Sequence, residues 1–292
     1  MNPFLKNTQV TDALDLINYL LMTLHEELNI APKKGVINSQ NLYPNQNSIE
    51  YIKFKENFEN ENKSLIIDLF NGIYYNKTKC SYCNFMKYNF SHSFYLYFDL
   101  GKVMNYKIHK ENQESNQFNQ NFLNEMNNLI NSQQNFKIYS CNIENINSVN
   151  LDVCLRYMYN SVELEGQYIK NCDCNSALPS ISHKMFYIGP KILVLILSNG
   201  NNMESKYKCE FVPQLNLYEF IENKNVGYIY DLISMVSYKE EIGTSGYFIA
   251  YCKSPIDDVW YEYNDEFVYP VINVQEAFNN AIPHILFYKK MN

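Results

Sequence analysis

Apolar residues between Val10 and Leu28 recur three and four positions apart, at Val10, Ala13, Leu14, Ile17, Leu20, Leu21, Leu24 and Leu28. That period predicts one amphipathic helix with a single apolar face. Thr8 or Asn7 stands where an N-cap belongs, and Pro32 follows the far end. Asp12 and Asp15 fall in or near the first turns, where acidic groups favour the positive end of the helix dipole. From Leu65 to Leu100 the pattern shifts to aromatic and β-branched residues broken by Cys80 and Cys83. It reads as a short helix at Leu65 to Phe70, then strands around a knuckle. After Pro190, the run from Lys191 to Leu197 is nearly all aliphatic, the signature of a strand buried on both faces. Residues 230–238, 246–253, 259–264 and 285–288 are short runs between Gly, Ser, Pro and Asp turns, as in an antiparallel meander. A helix followed mainly by strands places the chain in the α+β class.

Residues 105–147 break this pattern. More than half of the positions from Asn112 to Asn135 are Asn or Gln, a composition with little to offset the entropy of ordering. The segment reads as an insertion, although Phe118, Phe122, Leu123, Met126, Leu129 and Ile130 allow a marginal helix inside it. Order resumes with an amphipathic stretch at Val149 to Leu164.

Composition narrows the function classes. The 292 residues carry a net charge of −7 and Arg156 is the single arginine, which argues against nucleic acid as a partner. The longest aliphatic run, Ile192 to Leu197, is far shorter than a membrane span, and no basic-then-apolar leader opens the chain. A soluble intracellular protein, cytoplasmic or nuclear, is expected. The eight cysteines are then reduced thiols rather than a disulfide framework. Cys80 and Cys83 form a C-x2-C pair, and Cys172 and Cys174 a tighter C-x-C pair. Two such pairs can hold one structural Zn tetrahedrally, or remain four reduced cysteines in a metal-free finger. The second pair is one residue too close for the usual bite. Cys154 and Cys209 sit in apolar or strand contexts, where a free Cys most often serves as a small core residue.

Six segments, in order, resemble the ubiquitin-specific protease family of cysteine deubiquitinases. The opening VTDALDLINYLLMTLHEELN is similar to the family's QQDAxEFLxxLLDxLHEEL helix. DLFNGIYYNKTKCSYCN resembles its first zinc knuckle, and SVNLDVCLRYMYNSVELEG the helix before its second. GPKILVLIL, SGYFIAYCKSPIDDVWYEYNDEFVYPV and HILFYKK resemble the closing strands, including GHYxAY and the following WYxFDD. The resemblance implies a papain-like fold of thumb, fingers and palm. It further implies one domain over residues 1–292 that lacks the N-terminal Cys-box part, with ubiquitin or ubiquitinated proteins as partner, no catalytic cofactor, and a structural zinc at the fingertip.

A cysteine deubiquitinase needs a thiolate nucleophile, a His to take its proton and an Asp or Asn to orient that His. The family's nucleophile lies in a GNTCYxNS-like box ahead of the first helix, and no counterpart is present in this sequence. Tyr247 stands at the His position of GHYxAY, and a phenol is a poor acceptor for a thiol proton at neutral pH. Asn264 keeps the third position, with Asp265 after it. In the family the acidic pair of the first helix contacts the basic tail of ubiquitin, and Asp12 and Asp15 match it, on one helix face by their spacing. The expected function is an inactive, ubiquitin-binding relative. The alternatives are an active deubiquitinase whose Cys segment lies outside this gene model, or a scaffold without ubiquitin affinity. With the Cys-box part missing, the apolar face of the first helix is expected to lack some of its cover.

Overall fold

The computed structural model describes residues 13–31, 46–113, 148–160, 162–164, 180–199, 207–222, 228–239 and 246–291. The chain divides into a larger compact unit (Met1–Tyr97, Met158–Ile196 and Val212–Asn292) and a smaller one (Phe98–Tyr157 and Leu197–Phe211).

The larger unit opens with α1 (Ala13–Leu28), α2 (Gln46–Glu61) and α3 (Leu65–Phe70). Leu21 of α1, Ile66 of α3 and Phe94 form a buried cluster with Ile17, Ile67, Phe70 and Tyr95 around it. A polar network locks the same junction. Asn62 Nδ2 donates to the Phe58 carbonyl, so its Oδ1 faces His25 Nε2 at 3.1 Å and can only accept. The proton therefore sits on Nε2, and His25 Nδ1 accepts from the Ser64 hydroxyl at 2.8 Å. Ser64 is also the N-cap of α3, accepting from the Ile67 N–H. This accounts for a histidine that is 8% exposed, and it occupies both ring nitrogens. Leu16, Leu20, Leu24 and Leu28 of α1 are exposed among the described residues, while Leu21 is buried.

Two sheets follow. The finger sheet has the order β2-β1-β6-β5, built from β1 (Gly72–Cys80), β2 (Met86–Ser93), β5 (Val162–Leu164) and β6 (Ser180–Ile188). Against it lie the aromatic residues of α2: Tyr51 on Phe90 and Tyr187, Phe54 on Phe90, and Phe58 on His92. The palm sheet uses β3 (Leu96–Asp99), β7 (Ile192–Ser198), β9 (Gln214–Asn216), β10 (Ile229–Lys239), β11 (Tyr247–Lys253), β12 (Trp260–Asn264), β13 (Phe267–Pro270) and β14 (Ile282–Lys290). Its order is β13-β12-β11-β10-β14-β7-β3, with β9 paired to β10. Interior strand β7 is buried on both faces: Val194 and Ile196 join Ile285 in a cluster that Ile17 and Phe70 cover, while Leu193 and Leu195 point the other way. The continuous aliphatic run read from the sequence follows from this position. Helix α6 (Val274–Asn280) precedes β14.

The smaller unit contains a helix over residues 100–113 (α4), β4 (Ser148–Asn150), α5 (Leu151–Met158) and β8 (Lys208–Glu210). β4 and β8 pair in parallel, with Val149 opposite Cys209. Residues 105–113 of the expected insertion thus belong to α4, and the rest of it lies outside the described residues. Among the described residues no helix is long and apolar enough to cross a membrane.

Candidate active site on the palm sheet

Tyr247 opens β11 and Asn264 closes the neighbouring β12. The ladder pairs Ala250 with Tyr263 and Tyr251 with Glu262, so one further step sets Asn264 beside Ile249. Alternation then places Tyr247, Ile249, Tyr251, Glu262 and Asn264 on one face of the sheet. The two positions matched to the base and its orienting residue are therefore diagonal neighbours on adjacent strands.

Local features hold this register. Gly246, just before Tyr247, has φ 71°, and a Cβ there would stand 2.6 Å from the Lys239 carbonyl oxygen and against the Tyr238 ring. The β11–β12 connection closes with Ser254 N–H on the Val259 carbonyl and Asp258 N–H on the Ser254 carbonyl. Within it Asp257 accepts from the Ser254 hydroxyl, the Val259 N–H and the Tyr261 hydroxyl, which hold its carboxyl below the usual range. A two-residue turn, Asp265–Glu266, with Asp265 at φ 52°, joins β12 to β13 and pairs Asn264 with Phe267.

The same face carries a cleft of about 760 Å³, lined by Ser237, Ile249, Tyr251, Glu262, Glu276 and Ala281 among others. Helix α6 forms its wall. Asn273 caps that helix, its Oδ1 accepting from the Glu276 N–H and its Nδ2 donating to the Glu276 carboxylate. Phe278 pins the helix edge-on against Trp260, ring centres 4.9 Å apart. Burial, with a hydrogen bond to the Glu262 carboxylate, pushes the Tyr251 phenol well above its usual range. The motif match reached Tyr247 and Asn264 but not this cleft; strand alternation around Tyr247 was the signal available for it.

Among the described residues, three further thiols have contacts of their own. Cys252 lies on the opposite face of β11 from Tyr247, its Sγ 3.1 Å from Ser234 Oγ. Cys154 and Cys209 contact each other. Asp15 is exposed in the first turn of α1, and Asp12 lies outside the described residues. Cys80 and Cys83 sit at the β1–β2 turn, where Asn84 adopts φ 58° and its N–H meets the Cys80 carbonyl. Cys172 and Cys174 lie outside the described residues, and among those described no cluster of three or more His, Cys, Asp or Glu can hold a metal. Cys80 pairs with Ser180 across the β1–β6 ladder, and Ser180 with Leu164 across β5–β6.

Comparison with known proteins agrees with this architecture. The ubiquitin carboxyl-terminal hydrolase family profile matches residues 1–288. Ubiquitin carboxyl-terminal hydrolase 10 of Saccharomyces cerevisiae is 26% identical over 123 residues, 40% of this chain and 15% of the relative. A solved SAGA Ubp8/Sgf11/Sus1/Sgf73 DUB module bound to ubiquitin aldehyde superposes with TM-score 0.58 at 18% identity, covering 97% of this chain and 50% of the other. A yeast SAGA DUB module gives 0.57 at 20% identity, covering 97% and 51%. The chain thus spans about half the length of these solved chains and far less of the curated relative. With an α+β palm and fingers in place and the family profile running through nearly the whole length, the chain belongs to the ubiquitin carboxyl-terminal hydrolase family.

Proposed function

We propose that this chain recognises ubiquitin without itself hydrolysing ubiquitin conjugates. The observation that carries the reading is Tyr247 at the position matched to the general base, diagonal to Asn264. A thiol nucleophile requires an acceptor that is unprotonated near neutral pH. A phenol ordinarily keeps its proton there, so it can donate a hydrogen bond but not draw a proton from a thiol. The Asn264 amide is neutral and supplies orientation alone.

Recognition rests on other features. The Ubp8 relative binds ubiquitin aldehyde in its solved module. In this chain Asp15 presents a carboxylate in the first turn of α1, and Asp12 stands three positions earlier in the sequence, a pairing of acidic residues suited to a basic tail. Cys80, Cys83, Cys172 and Cys174 would hold a structural zinc that ties the fingertip together.

Incubation with a fluorogenic ubiquitin substrate tests the catalytic half: no turnover is expected, for the chain or for Tyr247→His alone. Turnover that thiol alkylation abolishes would overturn it. Titration of ubiquitin into isotope-labelled protein tests binding, with shifts that weaken in Asp15→Lys; their absence would favour a scaffold without ubiquitin affinity. Metal analysis of the purified chain checks the fingertip, with one zinc per chain expected.

A further inference from the structure

We propose that Cys154 and Cys209 are a latent disulfide, closed by peroxide and reopened by thiols. Cys154 lies on α5 and Cys209 is the middle residue of β8, both buried, with their Sγ atoms 4.0 Å apart. Backbone topology sets this proximity. β8 runs parallel to β4 with Cys209 opposite Val149, and α5 leaves the end of β4 directly, so Cys154 falls one turn beyond the strand that flanks Cys209. Closing the bond requires the sulfurs to approach from 4.0 Å to about 2.05 Å.

The surroundings favour a dithiol that reacts as a pair. The hydrogen bond with Cys154, together with burial and the nearby Glu210, pushes the Cys209 thiol well up, and Cys209 Sγ also approaches the Glu210 carbonyl oxygen at 3.7 Å. Cys154 is oxidised first in the proposed sequence, and Cys209 resolves it. Its thiolate attacks one oxygen of hydrogen peroxide, the O–O bond breaks, and the departing hydroxide takes the thiol's proton as water. This leaves a sulfenic acid on Cys154. Cys209 sulfur then attacks the sulfenyl sulfur, an S–S bond forms, the S–O bond breaks, and the oxygen leaves as a second water with the Cys209 proton. Two thiols lose two electrons and one peroxide becomes two waters. The partner thiol is already in contact, so closure outruns further oxidation of Cys154. The bridge would join α5 to a three-residue strand 55 positions later in the sequence.

The full chain is treated with hydrogen peroxide, its remaining thiols are alkylated under denaturing conditions, and it is digested without reductant. A Cys154–Cys209 linked peptide, lost on adding dithiothreitol, is the expected result, together with a Tm higher by roughly 5 °C. Cys252→Ser keeps both signals, and Cys154→Ser and Cys209→Ser each lose both. Recovery of Cys154 and Cys209 fully alkylated while exposed Cys83 is oxidised would overturn the proposal. So would bridges from either cysteine to a different partner.

Discussion

The finger sheet and the palm sheet from β13 to β7 are both antiparallel, yet they are held in different ways. In the palm, β7 and β14 bury successive residues, with Val194, Leu195, Ile196, Ile285, Leu286 and Tyr288 all at 0% exposure. Buried phenols there find carbonyls: Tyr230 donates to Pro190 and Tyr288 to Val212. In the fingers, β2 has no fully buried residue, and its order comes from the β1 ladder and from aromatic contacts with α2. A sheet held by a dry core fixes side chains on its outer strands, which suits the positions of Tyr247 and Asn264. A sheet held by rings and a knuckle tolerates change along its edge and is more open to solvent and pH.

The largest expected effect comes from cutting into the palm core. Leu195→Ala removes a fully buried side chain and should cost about 2–5 kcal/mol in denaturant unfolding. A loss near that from an exposed finger residue such as Asn89 would erase the contrast. Gly246→Ala comes next. It places a Cβ at positive φ against the Lys239 carbonyl oxygen and should cost about 1–3 kcal/mol by the same measurement. Tyr88→Ala in the fingers, which loses ring contacts with Tyr75 and the Lys77 ammonium, should cost about 1 kcal/mol.

The smallest effect sharpens the comparison through pH. His92 lies between the Phe58 and Phe94 rings, and burial lowers its pKa. His183 is lowered by burial and by Lys77. A histidine with a depressed folded-state pKa binds fewer protons folded than unfolded. Its contribution is complete above the ordinary value near 6.5 and is lost as pH falls below it. Tm should therefore drop between pH 7.5 and 5.5, and the drop should shrink in the double variant His92→Gln/His183→Gln. An unchanged drop would place acid sensitivity outside the fingers.

Much of this organisation was legible in the sequence. α1 showed in three-and-four spacing, α3 in the run Leu65 to Phe70, β7 in its continuous aliphatics, and β10 to β12 in alternation between turn residues. Helix α2 was not. Tyr51, Phe54 and Phe58 are at helical spacing, but they sit among Asn, Glu and Lys, and their value lies in Phe90, Tyr187 and His92, which arrive later in the chain. Of the candidate site, Tyr247 and Asn264 were visible because the motif spans one hairpin, whereas the wall that α6 supplies depends on Phe278 meeting Trp260. His25 could be read as a potential base; the Ser64 and Asn62 contacts, almost forty residues away, make it a structural hinge pin.

Periodicity, turn residues and an ordered set of motifs were enough to determine the class, the strands and the family, because each depends on neighbours within a few residues or one hairpin. The tautomer of His25, the cleft lined by Ile249 and Tyr251 and the contact between Cys154 and Cys209 were decided only by tertiary structure. Each needs groups that lie far apart in sequence to be desolvated together, and only the packed chain brings them within hydrogen-bond or van der Waals reach.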